Sequence, residues 1–114
     1  MIHRSYKKER ARIEVYLPDL PKPSYQELLE TLDREFTYTF GGSTIIRGLD
    51  GSYLSELGTK MQDPINLIYT DVAVDFDRNF IRISSYADRV KQSVVQALEE
   101  EAILIAVLKV YHCV

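Results

Sequence analysis

Cysteine is nearly absent from this chain of 114 residues. The single thiol, Cys113, has no internal partner, and the two histidines, His3 and His112, stand near opposite termini with no cysteine or histidine at zinc spacing. A disulfide scaffold and a zinc module are both excluded, and a reducing cytoplasm is the expected setting. Long apolar runs are also missing. The longest aliphatic stretch, Ala102 to Leu108, is too short to cross a bilayer, and Met1 to Lys8 has no apolar core of the kind a signal peptide carries. No membrane partner is expected. Glycine is scarce, and all five (Gly41, Gly42, Gly48, Gly51 and Gly58) fall in or just after the segment from Phe40 to Leu54. None follows a strand and opens a helix, and no P-loop lysine accompanies them, so phosphate cradling and a dinucleotide cofactor are excluded. No cofactor and no metal are expected.

What remains is an ordinary mixture of apolar and charged residues, long enough for one domain with its own core. Residues 1–114 therefore read as a single domain. Residues 1–12 concentrate Arg4, Lys7, Lys8, Arg10 and Arg12 against Glu9 alone, whereas the rest of the chain is acidic. Residues 1–10 read as a flexible basic arm. Without an aromatic platform or groove, those charges do not make a nucleic-acid partner.

Alternation of Ile13, Val15 and Leu17 with Arg12, Glu14 and Tyr16 predicts a half-buried strand over 11–17. After three prolines, Ser24 and Glu27 offer a capping box, and Tyr25, Leu28, Leu29, Leu32 and Phe36 form one helical stripe. Thr37–Phe40 and Ser43–Ile46 carry the β-branched and aromatic residues of strands, with a bulge at Gly41-Gly42. Leu49-Asp50-Gly51 has the form of a hairpin turn. Pro64 leads into a strand over Ile65–Thr70. Asp71–Ile83 reads as a long apolar connection able to act as a lid. Ser84-Ser85 then caps a helix buried through Ala87, Val90, Val94, Ala97 and Leu98, which ends near Glu99–Glu101, and Ile103–Tyr111 is the last strand.

The order is βαββαβ, that of the ferredoxin-like plait: an α+β fold with an antiparallel sheet, two helices on one face, and here a glycine-rich hairpin insertion. Thr44, Ile45, Gly48, Gly51 and Tyr53 give a threonine, aliphatic, glycine, glycine, aromatic pattern. This segment resembles one in small, uncharacterised bacterial domains of ferredoxin-like type, with tyrosine where those domains carry tryptophan. The resemblance implies the fold and no activity.

Two functional readings follow. The first is a small cytoplasmic binding or regulatory module without a catalytic site, acting as a homodimer or larger even assembly. If the helices cover Leu104, Ala106, Leu108 and Val110, then Ile103, Ile105, Val107 and Tyr111 are left open, beside Asn66, Ile68 and Thr70, as the interface. Glu14, Tyr16, Arg47 and Tyr53 are candidates to line a small polar ligand, since arginine forks onto anions and tyrosine supplies area with a hydroxyl. The second reading is a small enzyme with its active site on the open sheet face under residues 71–83. Asp71, Asp75 and Asp77 offer oxygens to a hard cation, but without the glycine and closing glutamate of a calcium loop they read as solvated loop carboxylates. His112 and Cys113, adjacent on a strand, point to opposite faces and do not form a thiolate–imidazole pair.

Overall fold

In the computed structural model, which describes residues 7–98 and 103–113, the chain runs β1 (Lys7–Pro18), α1 (Pro23–Phe40), β2 (Thr44–Leu54), β3 (Lys60–Val72), α2 (Phe76–Leu98) and β4 (Leu104–Cys113). The strands form one antiparallel sheet in the order β2-β3-β1-β4, with β1 and β3 central. Ile13, Val15 and Leu17 meet Leu29, Leu32 and Phe36 of α1 and Ile83, Val90 and Val94 of α2 in a single core. Both helices therefore lie on one sheet face, and the fold is the ferredoxin-like plait. His3 and the first six residues of the basic arm lie outside the described residues.

Helix α1 begins earlier and ends later than its sequence suggests. Pro23 takes the first helical position, where its fixed φ is pre-organised, and Lys22 precedes it in extended conformation with no side-chain cap; the expected Ser24 capping box does not form. At the other end Thr37–Phe40 is helix, not strand. Phe36 and Phe40 sit one turn apart with ring centroids at 6.3 Å, and Phe40 meets Tyr86 of α2 edge-on at 5.2 Å. That packing outweighs the strand preference of the intervening residues. Gly41, at φ 94°, then closes the helix by donating its N–H to the Thr37 carbonyl.

The glycine-rich segment is not a hairpin in itself. It is one strand, β2, with a bulge: Ile46 faces Leu67 and Leu49 faces Ile65, so Arg47 and Gly48 together oppose Asn66. Gly48 adopts φ 71° and donates its N–H to the buried Asn66 side-chain oxygen at 3.3 Å. The true turn is Ser55–Thr59, where the Gly58 N–H reaches the Ser55 carbonyl and Gly58 is left-handed. Beyond Pro18, which faces Ile65, and a last bond from the Asp19 N–H to the Pro64 carbonyl, β2 and β3 continue as a two-stranded ribbon. The molecule is drawn out to 57 × 29 × 24 Å. Gly51 lies on this ribbon without a positive φ, but a Cβ there would overlap the Ile65 side chain and stand 3.1 Å from the Asp63 carbonyl oxygen. Gly48→Val and Gly51→Val are each expected to cost about 1–3 kcal/mol, the first through backbone strain and the second through overpacking, read as a lower urea midpoint at unchanged slope.

The segment 71–83 is not a loop. Asp71 and Val72 end β3, and Asp75 starts α2 by accepting the Arg78 N–H at 3.2 Å, nine residues before Ser84. Glu9 of β1 accepts the Phe76 N–H at 2.9 Å. Residues 7–10, assigned to the flexible arm, thus belong to the sheet, paired with Val110–Cys113, and help to hold the start of α2.

Candidate functional site

Register decides which residues each sheet face offers. In β1 the inward set is as expected. In β3 and β4 it is reversed: Val15 faces Ile68 on one side and Ile105 on the other, and Ile13 faces Thr70 and Val107. Ile103 is 3 % exposed, and Ile105 and Val107 pack on the core under the helices, so these three are not on the open face. Tyr111 pairs with Glu9 and shares their side. Lys109 lies on the helix side too, but at the margin, where its ammonium reaches Asp77 at 2.6 Å and Glu9 at 3.5 Å. Asn66 and Thr70 are buried, not open; Thr70 donates to the Gly42 carbonyl at 2.7 Å. Among the described residues no buried side-chain nitrogen or oxygen lacks a partner.

The open face is consequently built from the other set. Ile46, Leu67, Tyr16 and Leu104 stand opposite one another in a row across all four strands. Leu49, Ile65 and Pro18 form the next row towards the ribbon; Tyr69, Glu14 and Ala106, then Asp71, Arg12 and Leu108, follow away from it. Leu104 is 59 % exposed and Ile46 40 %. Past Asp71, which ends its row on this face, residues 72–83 pack on the helix side and do not cover this surface, which removes the proposed lid over it.

Several polar groups on this face hold one another within the chain, while Arg10, among the described residues, meets only the Glu9 carbonyl. Arg12 forks onto Asp71, Nε to Oδ1 at 2.7 Å and the terminal nitrogen to Oδ2 at 3.0 Å, with its guanidinium 4.1 Å above the Tyr69 ring. His112 Nε2 stands 2.8 Å from Asp71 Oδ2. The Arg12 bonds, reinforced by His112, hold the Asp71 carboxyl below its ordinary value, and Asp71 in turn raises Arg12. Tyr16 donates to Glu14 Oε1 at 2.9 Å, which raises the phenol. A lowered folded pKa stabilises the fold fully above the unfolded value of 3.8 and loses that contribution as pH falls through the lower folded value. Asp71→Asn, which leaves Arg12 half-buried and unpaired, is expected to cost about 1–2 kcal/mol at pH 7, and in melts the gap to the parent should narrow below pH 3.8 and close once the pH passes under the lower folded value.

The four predicted ligand residues do not converge. Glu14 and Tyr16 touch each other, but Arg47 turns to Gln26 of α1 at 3.3 Å. Tyr53 faces Met61, about 20 Å along β3 from the Leu67 that Tyr16 opposes. Two cavities stand out, and neither is lined by any of the four. The three aspartates do not assemble either: Asp71 is held by Arg12, while Asp75 and Asp77 come together with Glu9, their oxygens within 4.8 Å of one another. Lys109 and the Phe76 N–H already bind that group. The Arg12–Asp71–His112 cluster escaped sequence reasoning because it unites three strands, and only their register could have announced it.

No protein-family model matches the chain, and no curated protein is significantly similar to it. Among solved structures it is similar to CutA1 from Oryza sativa, with a TM-score of 0.59 over 91 % of this chain and 82 % of that one, at 16 % identity. That likeness extends to the fold.

Proposed function

We propose that this protein is a cytoplasmic binding or regulatory module without a catalytic site, and that it works as a homodimer or larger even assembly built on the open sheet face. The observation that carries the reading is the apolar row Ile46–Leu67–Tyr16–Leu104, flanked by Leu49 and Ile65 on one side and Ala106 and Leu108 on the other. Leu67 is buried, but Ile46 and Leu104 at the two ends of the row are exposed and Tyr16 half-buried, and apolar side chains gathered on one sheet face in this way mark an interaction surface. A second copy fits it because the polar groups nearest the row are satisfied within the chain, Arg12 by Asp71 and Glu14 by the Tyr16 hydroxyl, so the apolar row can be covered without breaking them. A two-fold axis through the row sets Leu and Ile against Leu and Ile. The ribbon, with Leu54 and Leu57 exposed near its tip, extends the same contact, since a bare two-stranded hairpin has little stability of its own. Light scattering over a dilution series should give an even multiple of the chain mass at micromolar concentration; the mass of one chain would overturn the reading.

A further inference from the structure

The helix layer, on the opposite side of the sheet, holds a cavity of about 520 Å³ between the end of α1, the first half of α2 and the end of β3. Its floor is apolar and belongs to the core: Ile13 is 1 % exposed and Ile83 6 %, with Phe40, Val72 and Val74 around them. Ile81, on its rim, is 79 % exposed. The rim also carries Arg82 and Arg89, seven residues apart on α2. Among the described residues Arg82 has no hydrogen-bond or ion-pair partner, and the Arg89 guanidinium meets only the Tyr86 ring, at 5.8 Å. No aspartate or glutamate lines the cavity, although the chain as a whole carries a net charge of −3. The Glu35 carboxylate accepts the Tyr86 hydroxyl at 2.9 Å.

We propose that this cavity binds a small amphiphile with an apolar body and one carboxylate, the body against Ile13, Phe40 and Ile83 and the head between Arg82 and Arg89. The volume suits a small molecule, and an apolar pocket with few convergent polar groups is the usual form of such a site. Guanidinium forks match a carboxylate, and neither arginine needs to break an ion pair to receive it. Self-association through the open face leaves this surface free, so the two readings stand or fall separately.

The test is titration of the folded protein with octanoate, octan-1-ol and acetate, followed by amide chemical shifts. Octanoate should bind with a Kd of about 1 mM or tighter, moving the amides of Phe40, Val74, Ile83 and Tyr86. Octanol should bind about tenfold more weakly and acetate not at all, because each lacks half of the recognition. Arg82→Gln with Arg89→Gln, both exposed positions, should weaken octanoate about tenfold and leave octanol unchanged. Ser85→Trp, which fills the mouth from an exposed site, should abolish both. Equal affinity for octanol and octanoate, full octanoate binding by the double arginine variant, shifts confined to another surface, or no shifts at all would each overturn the proposal.

Discussion

Ile105→Asp is expected to unfold the domain. Ile105 lies on β4 opposite Val15, which is fully buried, and packs under the helices with Phe76 and Val107. The substitution gives up about 2 kcal/mol of apolar burial and places a carboxylate against the apolar core, for a total of about 3–5 kcal/mol. Small domains hold roughly 5–15 kcal/mol in all. The melting temperature should fall by roughly 15 °C or more, with loss of helix content preceding any change in association. A folded Ile105→Asp variant with altered assembly would mean that the face assignment is inverted.

Leu104→Asp, one residue earlier, should do the opposite. Leu104 faces Tyr16 on the open side and is largely exposed in the single chain, so the fold loses little when it changes. In a two-fold assembly the substitution enters twice. Each copy forgoes about 1.5–3 kcal/mol of burial, so dissociation should strengthen by about 10² to 10⁴-fold. The variant should sediment as one chain at concentrations where the parent is assembled, with an unchanged far-UV spectrum and melting temperature per chain. Unaltered association would show that the row across the four strands is not the contact.

These neighbouring residues also show where the sequence was legible. In β1 strict alternation leaves one choice of inward face, and Ile13, Val15 and Leu17 take it. In β4 the run from Ile103 to Leu108 is aliphatic throughout, so alternation offers no choice of face, and even Lys109 lies on the helix side, where at the sheet margin it leans to Asp77. In β3 polarity pointed outward for Asn66 and Thr70, yet both are buried because Gly48 and Gly42 supply their partners from across the sheet. The element order was readable because three-four spacing and alternation are local. The bulge at Arg47-Gly48 was not, because a glycine beside an Asp-Gly pair fits a turn as well as a bulge until the partner strand fixes the count. The start of α2 is hidden for a related reason: by sequence Phe76, Phe80 and Ile83 suit a packed loop as well as a helical stripe, and Asp75 suits a cation as well as a helix cap. The cationic pair Arg82 and Arg89 has a helical spacing that the sequence did display, but the helix was expected to begin only at Ser84.

The central claim is that the open sheet face is buried against a second copy of the chain. Hydroxyl-radical footprinting reads this residue by residue. With concentration raised through the association range, Leu104 and Ile46 should become protected, while Ile81 and Tyr38, exposed on the helix layer, should react at a constant rate. Constant reactivity of Leu104 and Ile46 at every concentration, or protection confined to Ile81 and Tyr38, would contradict the account.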